Sequence, residues 1–337
     1  MKLHQLMPLL LHTFKSEHDL LKAIEELSAK FTKDRQNISD YLKDERLTSA
    51  YTAFYLTTNM PKLEAVFEWM PKQWLQGFKD ATFIDLGAGP GTFSLAFREY
   101  VGAPVKIQQI ETSAVMRDQA KKLWEGLYPG EPLVTKAEGE KVLFFGHSAN
   151  EMGPDVALRY IRDLDPDHIL FIEPGTKDFF PKMLTIRDEL IKKNYNILYP
   201  CPTSETCPLK GSAEDWCHQY IQVKQDSEVE RLSQIARKDR RHLPLIVHAF
   251  SKTFKSTNPT SRVIRVLPET KFSYEWEACE LNQLKHYQIM KRGMSKATLN
   301  VLSETLAGAA LETEVEKELE KSKRVKIKML NNRSLES

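Results

Sequence analysis

The sequence predicts an α/β protein: a parallel sheet covered by helices, preceded by a helical N-terminal portion and followed by a small antiparallel C-terminal module. Three observations predict it. Strand-like apolar runs alternate with amphipathic helical runs between residues 77 and 200, the pattern of a parallel sheet buried on both faces. A glycine loop, Asp85-Leu-Gly-Ala-Gly-Pro-Gly91, follows the first of these runs. Four cysteines, three of them in one short segment, punctuate what comes after.

In residues 1–76, apolar positions recur at helical spacing through Leu20, Leu21, Ile24 and Leu27, and again through Tyr51, Phe54, Tyr55, Leu63, Val66 and Phe67. Pro61 and Pro71 interrupt this helical region. Within the domain at 77–200, strands are expected at 82–86, 105–110, 141–145, 168–172 and 195–199. Helices are expected at 92–100, 113–126, 153–163 and 178–193. Ligands of such sheets bind beyond the carboxyl ends of the strands. Those ends carry Glu111, then Gly146-His147-Ser148-Ala149-Asn150-Glu151, then Glu173-Pro174-Gly175-Thr176.

The character changes at Cys201. A loop rich in proline and cysteine leads to a polar helical stretch from Glu214 to Arg241. Four β-like runs at 244–250, 262–267, 271–278 and 284–290 complete a cysteine-bearing antiparallel module over 201–295. Residues 296–322 read as a helix, and Lys321, Lys323, Arg324, Lys326, Lys328 and Arg333 as a basic tail, within a segment running to 337.

Composition sets limits. The chain has 337 residues, 41% hydrophobic and 28% charged, which suits a soluble globular protein with a core that folds without staples. No apolar run approaches the roughly 20 residues of a membrane span. Met1–Leu11 reads as a buried segment rather than a signal peptide, so a cytoplasmic location and no membrane partner are expected. The net charge of +2 excludes a polycation. Local basic clusters can still hold phosphate backbones. Arg237, Lys238, Arg240, Arg241, Lys291 and Arg292 are the candidates, together with the tail.

Gly87, Gly89 and Gly91 let the backbone approach a ligand closely, and the helix expected from Thr92 would present its N-terminus to it. The spacing is Gly-x-Gly-x-Gly; Thr92 stands where a dinucleotide fingerprint has its third glycine. The pattern resembles motif I of the S-adenosylmethionine (SAM) methyltransferases. Glu111, at the tip of the second strand, can accept the ribose hydroxyls. By that resemblance Asp85 would face the methionine amino group, and Asn150 joins the cofactor contacts.

The cysteine segments read Cys201-Pro-Thr-Ser-Glu-Thr-Cys207-Pro and Asp215-Trp-Cys217-His218, with Cys279 at the end of an expected strand. Cytosolic chains seldom keep disulfides, so the cluster argues for metal or redox chemistry. Four thiolates close a tetrahedral zinc site or hold an iron–sulfur cluster. The spacing matches neither a zinc ribbon nor a ferredoxin run, and leaves open a set of small buried hydrophobes.

Taken together, these motifs resemble the methyltransferase-like small-ribosomal-subunit proteins, a family with mitochondrial and bacterial members. The residues that carry the resemblance are Tyr51-Thr-Ala-Phe-Tyr-Leu-Thr-Thr-Asn-Met-Pro61, the loop Asp85–Gly91, Asn150-Glu151 and Phe171-Ile-Glu-Pro-Gly-Thr176 with Arg187. The cysteine box, Ser261-Arg262, Arg265, Cys279, Lys291-Arg292 and Ser295-Lys296 complete it. Thr203 departs from the pattern where relatives often have histidine. The resemblance implies a Rossmann-like SAM-methyltransferase fold. It also implies binding to small-subunit ribosomal RNA beside ribosomal proteins, a role in subunit assembly, and a 4Fe–4S cluster on Cys201, Cys207, Cys217 and Cys279, with zinc as the alternative. A monomer off the ribosome is expected.

Catalysis is less legible. Amino-group methylation of bases commonly uses an Asn/Asp-Pro-Pro-Tyr/Phe motif to hold a flipped base. Here that place reads His147-Ser-Ala-Asn-Glu-Met-Gly153. No Lys-Asp-Lys-Glu tetrad for ribose methylation is evident, and the cysteines look committed elsewhere. His147, Asn150 and Glu151 are the acceptor-orienting candidates. Two readings stand: a SAM-binding assembly factor, and an active ribosomal RNA methyltransferase. A SAM enzyme acting on a protein or small molecule is a weaker third.

Overall fold

A computed structural model describes residues 1–33, 43–238, 242–255, 260–331 and 333–334. It divides into two compact units: Met1–Glu68, Lys72–Ser148 and Ile221–Leu243 form the first; Trp69–Pro71, Ala149–Tyr220 and Pro244–Ser337 form the second.

In the first unit the helices Glu17–Lys33, Glu45–Tyr51 and Ser227–Ile235 bury Leu20, Ile24, Leu27, Leu47, Val229 and Leu232 in one cluster. Asp44 caps the second of these helices by accepting from Leu47 N at 3.0 Å. The chain then passes through a π turn at Thr52–Leu56, and Pro61 opens the helix Pro61–Phe67 from a first-turn position, where its missing N–H does no harm. The sheet places β1 (Thr82–Leu86) between β2 (Lys106–Ile110) and β3 (Lys141–Gly146), parallel to both. Every β1 residue is buried, as a central strand covered on both faces must be. The helix Thr92–Val101 follows β1 through the glycine loop and stops at Gly102, whose φ of 70° ends it.

In the second unit, β7 (His242–Ser251) lies between β4 (His168–Pro174) and β5 (Asn196–Tyr199), antiparallel to both, with Phe171 opposite His248 and Ile197 opposite Phe250. The run expected at 244–250 in the C-terminal module therefore belongs to this sheet. Its consecutive buried residues, Leu245 to Phe250, suit a strand covered on both faces rather than one at a half-exposed surface. The short strand β6 (Gln219–Gln222) precedes it. The polar stretch 214–241 is helical only at Ser227–Ile235.

A second sheet contains β8 (Ser261–Val266), β9 (Ser273–Glu280), β10 (Gln283–Met290), β11 (Ala310–Glu318) and β12 (Lys323–Leu330). Antiparallel ladders join β8 to β9, β9 to β10, β8 to β11 and β11 to β12. A short parallel ladder, Tyr287 to Lys323 and Gln288 to Arg324, joins β10 to β12 and closes the sheet into a barrel. The helix Lys296–Ser303 sits between the third and fourth strands. This connectivity is that of the five-stranded OB barrel. Its interior holds Val263, Trp276, Ala278, Tyr287, Ile289, Leu311, Val325 and Ile327.

The barrel corrects the expected helix at 296–322, which ends at Ser303, and the expected tail, whose lysines are largely strand residues. Glu and Lys are strong helix formers, but Leu311, Thr313 and Val315 alternate with glutamates at the period of a strand. Among the described residues no helix is long and apolar enough to cross a membrane.

Candidate cofactor cradle and cysteine cavity

The loop after β1 carries Gly87, Gly89 and Gly91 at φ of 71°, 55° and 84°. At Gly87 a Cβ would lie 2.5 Å from Ser148 Cβ, so no larger residue fits. At Gly89 a Cβ would meet nothing within 4 Å: the backbone there faces open space. Around this loop Thr92 Oγ1, Gln109 Nε2 and Ser148 Oγ are buried and have no partner among the described residues. Buried polar groups are nearly always bonded, so such orphans beside an open loop mark a place for polar ligand atoms.

Two acids frame the loop. Glu111 Oε2 accepts from Gly89 N at 2.8 Å, and its Oε1 accepts from Ser113 N at 2.8 Å. Asp85 is buried, and its Oδ2 accepts from Ser94 N at 3.0 Å and Ser94 Oγ at 2.7 Å. Burial pushes the Asp85 carboxyl up to about 6; the Ser94 bonds oppose this and the Glu111 charge adds to it. One Asp85 oxygen thus holds the first turn of the following helix.

His147, just past β3, has φ 64° and stacks on Phe93 with ring centroids 6.2 Å apart. Lys62, buried on the helix Pro61–Phe67, places Nζ 2.9 Å from His147 Nε2. The sequence reading missed Lys62 and Gln109, and it named Thr92 and Ser148 only as part of the loop and the strand end. A lysine inside an otherwise apolar helical run was the one available signal. In the second unit, Asn150 and Glu151 lie on the short helix Ala149–Met152. There Glu173, fully buried, accepts from Ala149 N at 2.9 Å and Asn150 N at 3.2 Å.

The second unit also contains a cavity lined by Cys201, Cys207, Cys217 and Cys279 together with Arg187, His248 and Arg262. Residues remote in sequence therefore meet as the cysteine pattern requires. Burial, followed by the neighbouring thiols, pushes Cys279 up to about 12 and Cys217 well above its ordinary value. Burial also lifts Cys207 to about 11. Arg187 donates through Nε to Cys201 Sγ at 3.3 Å and through Nη2 to the Glu205 carbonyl at 2.7 Å. Arg262 donates to the carbonyls of Pro200 and Gly308 at 2.5 and 2.6 Å. Both arginines are buried, which requires compensating charge or bonds. His248 Nδ1 has no partner among the described residues, and burial, with the arginines adding to it, pushes its pKa down to about 3. Among the described residues no group of three or more His, Cys, Asp or Glu is arranged to hold a single metal ion. The four thiols line one cavity, but the expected four-cysteine metal site is not shown.

Of the RNA candidates, Arg237 is exposed at the end of the helix Ser227–Ile235, and Lys238 donates to Ser28 Oγ. Arg240 and Arg241 lie outside the described residues. Lys291 Nζ is engaged with Glu269 at 2.7 Å and the Thr270 carbonyl at 2.8 Å, whereas Arg292 is exposed.

The parallel sheet, glycine loop and strand-end acids define an α/β protein of methyltransferase-like fold. Residues 149–292 match the family model of the mitochondrial small ribosomal subunit protein Rsm22, a span that includes all four cysteines. The match covers less than half of the chain, and over that span it agrees with the resemblance read from the sequence. No curated protein matches the chain. Among solved structures, magnesium protoporphyrin IX methyltransferase from Synechocystis PCC 6803 with bound SAM is 10% identical, with TM-score 0.38, covering 68% of this chain and 97% of that one. A SAM-dependent methyltransferase from Aquifex aeolicus is 12% identical, with TM-score 0.32, covering 57% and 97%. TrmK from M. capricolum with S-adenosyl-homocysteine is 8% identical, with TM-score 0.31, covering 56% and 71%.

Proposed function

We propose that this chain is a SAM-binding, methyltransferase-like protein of the small ribosomal subunit that binds its RNA and assists its assembly. The observation that carries the cofactor reading is the cradle. The Gly89 backbone is open, and Thr92 Oγ1, Gln109 Nε2 and Ser148 Oγ surround the loop without partners among the described residues. A ribose would take the place of the Gly89 N–H as donor to Glu111. The family match at 149–292 supports the ribosomal reading.

An iron–sulfur cluster is the reading we favour for the cysteine cavity, with zinc as the alternative; the four thiols on one cavity and the two buried arginines beside them support it. A 4Fe–4S cluster brings its own irons and sulfides and needs thiolates spread around it. Cys201, Cys207, Cys217 and Cys279 would hold it. Such a group is net negative, and the buried guanidiniums of Arg187 and Arg262 line the same cavity to offset it. When bound, the cluster would fix the loop 201–217 against the barrel strand that carries Cys279.

An active methyltransferase is the second reading. The Lys62–His147 contact favours it, because a base there could orient an acceptor at the end of β3. The two separate by mapping methylation of small-subunit RNA with and without the gene and with an Asp85→Ala, Gly89→Arg double variant. A mark lost in both cases establishes the enzyme. Subunit defects with every mark intact establish the assembly factor.

A further inference from the structure

The barrel offers a site that gathers two of the RNA candidates read from the sequence, Lys291 and Arg292, and adds Lys271 and Phe272 to them. In OB barrels, oligonucleotides are held on the face of the second and third strands and by the loops after the first and fourth. Here the outward face of β9 is committed elsewhere: Cys279 lines the cysteine cavity, Glu277 pairs with Arg265, and Glu275 pairs with His286. That face is also acidic, so it repels phosphate.

The loop after the first barrel strand, 267–272, carries one base, Lys271, and one acid, Glu269, which Lys291 neutralises. At its end stands Phe272, 65% exposed, with Lys271 Nζ 5.7 Å from the ring centroid. The loop is held rigid. Thr270 Oγ1 accepts from Phe272 N at 3.1 Å and Ser273 N at 2.9 Å. Lys291 N donates to the Phe272 carbonyl at 2.9 Å. The Lys291 side chain, bonded to Glu269 and Thr270, pins the loop from below, and the exposed Arg292 follows it.

A lone exposed aromatic means little. A preorganised one, flanked by cations at the nucleic-acid end of an OB barrel, is a stacking platform. We propose that Phe272 stacks on an unpaired base of RNA, with Lys271 and Arg292 on the adjoining phosphates and Lys291 as the residue that positions the loop. Duplex RNA does not fit this stacking site, because a base inside a helix has its face covered by its neighbours. This inference rests on the RNA-binding reading above and specifies where and in what form RNA is bound.

The test uses the full-length protein and a labelled, unstructured RNA of about 12 nucleotides, within the range that an OB barrel covers, alone and annealed to its complement. Phe272→Ala should weaken single-strand binding roughly 5- to 150-fold and leave duplex binding unchanged. Phe272→Trp should retain affinity, and the pair Lys271→Gln, Arg292→Gln should flatten the salt dependence. Equal single-strand affinity for wild type and Phe272→Ala overturns the site while RNA binding itself stands. Absence of RNA binding by the wild type at low salt overturns the RNA reading and this inference with it.

Discussion

The Glu111 carboxylate and the Gly89 N–H are hydrogen-bonded at 2.8 Å, so the tip of β2 holds the middle glycine of the loop that follows β1. The same carboxylate also takes the Ser113 N–H at the start of the next helix. One acid therefore ties the loop to the start of the next helix.

Glu111→Ala should lower stability by about 1–3 kcal/mol, the range for losing hydrogen bonds to a charged group. It should also weaken SAM binding by about tenfold or more. Thermal unfolding and calorimetric titration read the two effects separately. Unchanged SAM affinity would remove Glu111 from the cofactor site.

Asp85 makes a pH prediction. Its folded pKa is raised from 3.8 to about 6. The folded state thus holds a proton that the unfolded chain releases. The stabilisation is complete below pH 3.8 and is lost as pH rises through about 6. The loss amounts to about 3 kcal/mol. Urea unfolding at several pH values in that window, compared with Asp85→Asn, should show a stability difference that changes with pH. A constant difference would contradict the burial of this carboxyl.

The five strands of the central pattern were legible because each is a short apolar run closed by polar or glycine residues. The Gly87–Gly91 loop was legible because its spacing is dictated by backbone approach. The barrel was not. Ala310–Glu318 is rich in glutamate, and its strand character lies in the alternation of Leu311, Thr313 and Val315. Val325 and Ile327 point into the barrel between exposed lysines that read as a tail. The partners of the cysteines were hidden for another reason. Arg187 and Arg262 reach the cavity only through tertiary packing, which no local pattern encodes.

Arg187→Gln should destabilise the protein by about 3–5 kcal/mol, the range for breaking a buried charged network. The side chain is 1% exposed and bonded to Cys201 and to two loop carbonyls. It should also lower iron occupancy. A variant with normal melting and full iron content would show that the guanidinium is dispensable.

Anaerobically purified protein should be brown and contain iron and acid-labile sulfide, about four of each per chain. Cys217→Ser should bleach it and lower its melting temperature, since metal binding is coupled to folding. Colourless protein with one zinc per chain would refute the cluster.

The central claim is that the glycine loop holds SAM. Isothermal titration of the full-length protein with SAM tests it most directly, with Gly89→Arg as the control that fills the open space. The account predicts saturable single-site binding by the wild type and none by the variant. No binding by the wild type, or equal binding by both, would contradict it.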